Sequence, residues 1–232
     1  MIGTVYLIPI ALSEDGYNTL PAYIAEKINA CDVFFAENIR TARRAFKKID
    51  KQFDIDKRDW YEIDAKEAAS VAAFRQCLNN HKTIGIVSES GCPGIADPGQ
   101  QLVAVAQEMG ATVNPLSGPS SILLSLMASG LNGQSFTFNG YIPIESVDRE
   151  KKIKELEKKA IVEKCTQLFI ETPYRNNVML ASILKVCHPD TKLCIAYNLT
   201  SATEWVKTKK ISSWKENTPS LPKEPAIFLL GS

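Results

Sequence analysis

The residues from Val87 to Gly99, VSESGCPGIADPG, hold three glycines, two prolines, two serines, a thiol and two carboxylates, with no hydrophobic period. They overlap and follow KTIGIVSES, a β-branched run that reads as a buried strand. Glycine and proline set a sharp course and let main-chain N–H and C=O groups approach a guest with no Cβ in the way, which Gly91, Gly94 and Gly99 permit. Taken alone, such a loop reads first as a structural connection. A second small-residue turn, SGPSS at 117–121, opens a helix, so its free N–H groups and hydroxyls suit a carboxylate or a ribose. Together the two turns outline one pocket for a medium-sized polar ligand. The chain has neither GxxxxGK[ST] nor GxGxxG, which argues against a P-loop NTPase or a dinucleotide oxidoreductase.

These loops need strands and helices to hold them. GTVYLIPIAL and CDVFFAEN read as strands, and DWYEID as a strand or an ordered loop. TLPAYIAEKINA, IRTARRAFKKI, KEAASVAAFRQCLNN and GQQLVAVAQEMG have apolar residues at helical spacing. ATVNPL completes the first series. Strands alternating with helices mark βαβ units on a mainly parallel sheet, whose ligands sit at the carboxyl ends of the strands. From residue 135 the texture changes: SFTFNGYIP alternates like an antiparallel or edge strand, and 149–164 reads as a highly charged, solvated helix balanced by Glu150, Glu155, Glu157 and Glu163. TQLFIETP, NVMLASILKVC, TKLCIAYNLT, TEWVKTKKISSWKE and PAIFLLGS form a second series. The expectation is an α/β protein of two domains, 1–116 and 117–232.

With 232 residues and 45% apolar content the chain is long enough for a substantial core. No stretch approaches a membrane span and MIGTVYLIPIALSEDG lacks a basic leader, so the expected location is cytoplasmic. The six cysteines form no CxxC pair and the two histidines are few, so no metal site is expected. They read as reduced thiols, mostly in the core. A net charge of +1 gives no global argument for nucleic-acid binding, although Arg40, Arg43, Arg44, Lys47 and Lys48 crowd one face of a helix, either as a solvated surface or as an RNA-phosphate patch. Trp205 and Trp214 are expected to pack in the core rather than stack on bases. Cys92 lies inside the pocket without a neighbouring histidine to activate it, so a structural or ligand-contact role is expected.

In order along the chain, GTVYLIPIAL, AENIRTARRAF, VSESGCPGIADPGQQLV, NPLSGPSSILLSLMASGL, FNGYIP, FIETPYR and NLTSATEW resemble the tetrapyrrole methylase superfamily, most of all the branch holding the 16S ribosomal RNA cytidine-2′-O-methyltransferase. The resemblance implies a transferase dependent on S-adenosyl-L-methionine, with two α/β domains, the cofactor in the cleft between them, and a homodimer. By motif it implies cofactor contacts from Ile10, Ser90, Gly91, Cys92, Ile95, Ser120, Ser121, Glu171, Leu199 and Ala226. A methyl group on sulfonium is already activated, so catalysis is mainly alignment and exclusion of water. Transfer to a ribose hydroxyl needs a proton acceptor or orienter, with Glu89, Asp97 and Glu171 as candidates.

The departures from that branch lie where a substrate would bind. IPIALSEDG stands where TPIGNLGD is usual. AENIRTARRAF loses an acid and a histidine but keeps Arg40, Arg43 and Arg44; ETPYR keeps Arg175; NLTSATE keeps Thr200 and Glu204 but has Asn198 and Ser201 in place of a charged pair. These changes count against the ribosomal assignment more than against the cofactor; by the resemblance RNA is still the expected acceptor, with Arg40, Arg43, Arg44 and Arg175 as its contacts. A tetrapyrrole C-methyltransferase, which SGCP in place of GGDP disfavours, and a non-catalytic cofactor-binding paralogue are the alternatives.

Overall fold

Five short runs of the first half pair side by side in a computed structural model of the chain, which describes residues 2–63 and 68–232. They are β1 (Thr4–Ile8), β2 (Val33–Ala36), β3 (Asp59–Glu62), β4 (Thr83–Val87) and β5 (Thr112–Pro115), in the order β3-β2-β4-β1-β5. Every pairing is parallel. Parallel neighbours need crossovers, and α1 (Tyr23–Ala30), α2 (Ile39–Ile49), α3 (Ala68–Asn79) and α4 (Gln100–Glu108) lie in them. DWYEID forms a strand through Glu62; its Asp64, and Lys66 and Glu67 at the start of the expected third helix, lie outside the described residues. Because all five strands run the same way, the segments after β1, β2, β4 and β5 leave from a single edge of the sheet.

Both faces of this sheet are covered, which is why its central strands read as continuous apolar runs rather than alternating ones. Phe34 packs with Phe46, Phe53, Ile24 and Ile28 on one face, while its neighbour Phe35 joins Val5, Phe74, Ile84 and Leu102 on the other. Side chains of adjacent strand residues point to opposite faces, so two consecutive buried phenylalanines require two cores. Phe34 also stacks on Trp60, with centroids 4.7 Å apart, and that contact fixes the indole beside α2.

The chain divides into two compact units after Ser120; the expected boundary at Leu116 and this division enclose the SGPS turn. The second unit holds α5 (Ser121–Ser129), β6 (Phe136–Tyr141), α6 (Ser146–Val162), β7 (Thr166–Glu171), α7 (Asn176–Val186), β8 (Lys192–Tyr197), β9 (Trp205–Lys210), α8 (Ile211–Glu216) and β10 (Ala226–Gly231). Its sheet runs β6-β7-β10-β8-β9. β6 is an edge strand paired in parallel with β7, and β10 lies antiparallel between β7 and β8. Trp214 is buried, donating Nε1–H to Leu193 O at 2.9 Å, and Trp205 stacks on Tyr197.

The charged helix α6 departs from the solvated reading. Ile153, Leu156 and Ala160 pack into the core, and Arg149 and Glu157 are buried with them. Arg149 donates Nε–H to Ser182 Oγ at 2.9 Å and also donates to the Ile144 carbonyl. Glu157 accepts from the His188 amide at 2.7 Å and from the Thr191 hydroxyl. Counting acids against bases along the sequence could not separate these two from their solvated neighbours, because their partners lie on other elements.

Candidate functional site

The edge where β1, β2, β4 and β5 end gathers the small-residue segments of the first unit. Ile10, just past β1, and Gly91, in the loop after β4, form a reciprocal bridge: each amide donates to the other's carbonyl at 2.9 Å. Gly91 sits at φ +72°, and a Cβ there would meet Leu12 Cδ2 at 3.3 Å and Pro119 O at 3.6 Å. Only glycine takes that conformation without strain while leaving the approach open. Gly118 answers a different need, since a Cβ on it would stand 2.2 Å from Pro9 Cβ. The Leu116–Ser120 turn can therefore close onto the first loop only with no side chain at 118. Cys92 ties the turns together, its thiol lying 3.5 Å from Pro119 O and 3.8 Å from Gly118 O. Burial pushes that thiol's pKa up, so it stays protonated and serves as a weak donor rather than a nucleophile.

The structure thus brings Ile10, Gly91 and Cys92 to the turn that contains Ser120. Ser90 and Ile95 are exposed on the same loop, Ile95 donating its amide to Cys92 O at 3.3 Å. Ala96 adopts φ +62°, an unusual value for a residue with a Cβ, and Gly99 adopts φ +110° where α4 begins. Ser121 opens α5 in the second unit, half-buried.

Three carboxylates meet beside this loop. Glu37, just past β2, accepts the Glu89 amide at 3.1 Å, and Glu89 in turn lies 3.4 Å from the Thr41 hydroxyl. Asp97 is half-buried, and its pKa is pushed up to about 6, first by burial and then by the Glu37 and Glu89 charges, against a hydrogen bond from Ser88. Glu37 and Ser88 were not among the residues picked from the sequence. Their signal was positional: each stands at the carboxyl end of a parallel strand, where ligands of such sheets bind.

In the second unit Glu171, Leu199 and Ala226 come to one end of the sheet. Glu171 closes β7 and pairs across the ladder with Ala226, which pairs on its other side with Tyr197. Its buried carboxylate accepts the Thr172 amide at 2.7 Å and lies 2.9 Å from Arg175 Nη2, an ion pair without aligned hydrogen-bond geometry. Leu199 is buried between Asn198 at φ +52° and Thr200 at φ +69°. The Glu204 carboxylate holds that turn by accepting the Thr200 amide at 2.8 Å. This turn therefore aims Leu199 inward at a cost in backbone strain.

Arg40, Arg43 and Arg44 occupy a third location, on α2, where with Asn38, Ile39 and Glu62 they line an open cleft of about 630 Å³. Asn38 caps the helix, accepting the Thr41 amide at 3.0 Å. Among the described residues no group of three or more His, Cys, Asp or Glu could hold a metal ion, and no helix is long and apolar enough to cross a membrane.

Comparison with known proteins gives the following likenesses. The ribosomal RNA small subunit methyltransferase I of Mycobacterium tuberculosis is 35% identical over 167 residues, 72% of this chain and 55% of that protein. The chain thus spans little more than half the length of that relative. Among solved structures, the methyltransferase CobJ superposes with a TM-score of 0.65 at 14% identity, covering 99% of this chain and 94% of that one. The uroporphyrin-III C-methyl transferase of Thermus thermophilus, complexed with S-adenyl homocysteine, gives 0.59 at 13% identity over 99% of this chain and 98% of that one. These last two speak for a shared fold. No family model matches the chain.

Proposed function

We propose, on the premise that the chain belongs to the tetrapyrrole methylase superfamily, that it transfers a methyl group from S-adenosyl-L-methionine to RNA, with a ribose hydroxyl as acceptor. One observation carries the cofactor half of this reading: the Ile10–Gly91 bridge and the Cys92–Pro119 contact bring two glycine-opened turns together at one sheet edge. The residues fit the group. A sulfonium ligand asks for main-chain carbonyls and small neutral side chains, and the loop offers Ser90, Gly91 and Cys92, with Ile95 as an exposed apolar surface. Ser120 adds a hydroxyl and Ile10 a main-chain edge, while Ser121, Glu171, Leu199 and Ala226 are the contacts that the resemblance assigns to the second unit. When bound, the cofactor supplies an electrophilic methyl group; the chain's own part is to align the acceptor and keep water out.

Of the three candidate carboxylates, Asp97 suits the proton-accepting role. Glu171 is committed to Arg175 and Thr172, and Glu89 is exposed. Asp97 is partly withdrawn from water and disfavoured as an anion, which makes its carboxylate a better base near neutral pH than an ordinary aspartate. Arg175 and the α2 arginines are the acceptor's contacts. The protein works as a cytoplasmic homodimer; exposed Met127, Ile144 and Val147 on the second unit support self-association.

Calorimetric titration with S-adenosylhomocysteine tests the cofactor assignment, using Gly91→Val beside the parent chain. Binding by the parent and loss of binding in a folded variant are expected; equal affinities would remove this loop from the site. Transfer of a labelled methyl group to small-subunit ribosomal RNA tests the acceptor. Transfer to a tetrapyrrole instead, or cofactor binding with no transfer at all, would replace this reading by one of its two alternatives.

A further inference from the structure

We infer that the cleft lined by Arg40, Arg43 and Arg44 is a binding site for the phosphodiester backbone of the acceptor RNA, built around an arginine held over the ring of Trp60. The inference rests on the reading of RNA as acceptor. Five cations stand on α2 with no acid among them, yet they are not equivalent. Lys48 is paired with Glu14 and lies over the Tyr17 ring, and Lys47 donates to Lys51 O. The guanidinium groups of Arg40, Arg43 and Arg44 have no carboxylate within ion-pair distance among the described residues, although Glu14 feels the charge of Arg44.

Arg43 gives the site its geometry. Its guanidinium carbon lies 5.1 Å from the Trp60 ring centroid. The indole is fixed from two other directions, by the stack on Phe34 and by its Nε1–H donated to Ile55 O at 3.1 Å. Arg43 Nε is buried with no acceptor among the described residues. A buried donor without a partner is costly unless a ligand supplies the acceptor. A planar fork of donors, held over an aromatic face and flanked by two more guanidiniums, matches the oxygens of a phosphodiester. The free amide ends of the first turn of α2 add positive potential near Asn38 and Arg40. Glu62, the one carboxylate lining the cleft among the described residues, opposes an anion there and limits how deeply it can enter.

The test is fluorescence anisotropy with an unstructured single-stranded RNA oligonucleotide, without cofactor, across a salt series. Arg40→Gln and Arg43→Gln should each weaken binding about tenfold and lower the slope of log affinity against log salt by about 0.7 for each phosphate no longer neutralised. Trp60→Phe should weaken binding without changing the charge of the chain, and Glu62→Gln should strengthen it. Arg75→Gln, which removes a charge paired with Glu108 on the surface, is the control. An unchanged slope in both α2 variants, an equal loss in the control, or equal binding of a polyglutamate peptide would overturn the site. S-adenosylhomocysteine affinity measured on the same variants stays at the parent value, so failure of the cleft and failure of the cofactor reading are separately visible.

Discussion

Replacing Asp97 by Asn should make the protein more stable, and only above a definite pH. Asp97 faces Glu37 from the end of β2 and Glu89 from its own loop, with the Ser88 hydroxyl, which donates to Ser90 O at 3.1 Å, as a partly offsetting neighbour. In the unfolded chain its carboxyl ionises near the ordinary 3.8; in the folded protein burial and the two neighbouring charges hold it protonated to about 6. The folded state therefore binds more protons between those values. Its advantage is whole below 3.8 and is lost as pH rises through about 6. The interval corresponds to roughly 3 kcal/mol, which solvent screening at a half-buried site reduces to about 1–2 kcal/mol. Asparagine keeps the shape but never carries the charge, so it avoids this loss. Thermal melts at pH 3.5 should show the two proteins together; at pH 8 the variant should melt higher by about 2–4 °C for each kcal/mol recovered. The same substitution should lower methyl transfer by about 100-fold or more while S-adenosylhomocysteine affinity holds, as expected for a lost proton acceptor. A melting difference independent of pH, or a variant less stable at pH 8, would refute the crowding of charge at Asp97. Unchanged transfer would leave the charge argument intact and return the base to Glu89 or to solvent.

Two further substitutions test the second unit. Glu157→Ala leaves the buried Thr191 hydroxyl and the His188 amide without their acceptor and opens a cavity beside α6, so urea unfolding should show a loss of about 2–4 kcal/mol; a loss below about 0.5 kcal/mol would mean that Glu157 is solvated after all. Trp214→Phe removes the Nε1–H donated to Leu193 O and part of a fully buried ring, and should cost about 2–3 kcal/mol in the same measurement, with a null result placing Trp214 outside the core.

The sequence by itself determined the elements and the loops that bear the chemistry. Apolar period and turn residues marked the parallel strands and their helices, because burial on both sheet faces leaves uninterrupted runs such as TIGIV and VFFA. Glycine at 91, 94 and 99 marked a main chain open to a ligand's approach, and the motifs pointed by resemblance to a superfamily. Tertiary structure decided what no local pattern encodes. It paired Ile10 with Gly91 and set Gly118 against Pro9, through approaches between segments some 80 and 110 residues apart in the chain. It added Glu37 and Ser88 to the carboxylate group, buried Glu157 and Arg149 in a helix whose composition reads as solvated, and bound Glu171 to Arg175. It also separated α2's arginines from its lysines. The helix carries all five charges within two and a half turns, but Glu14, Trp60 and Glu62 come from elsewhere in the chain, and they set the different surroundings of each cation. A residue's charge is written in the sequence, whereas its desolvation and its partners are long-range quantities fixed only when the chain is folded.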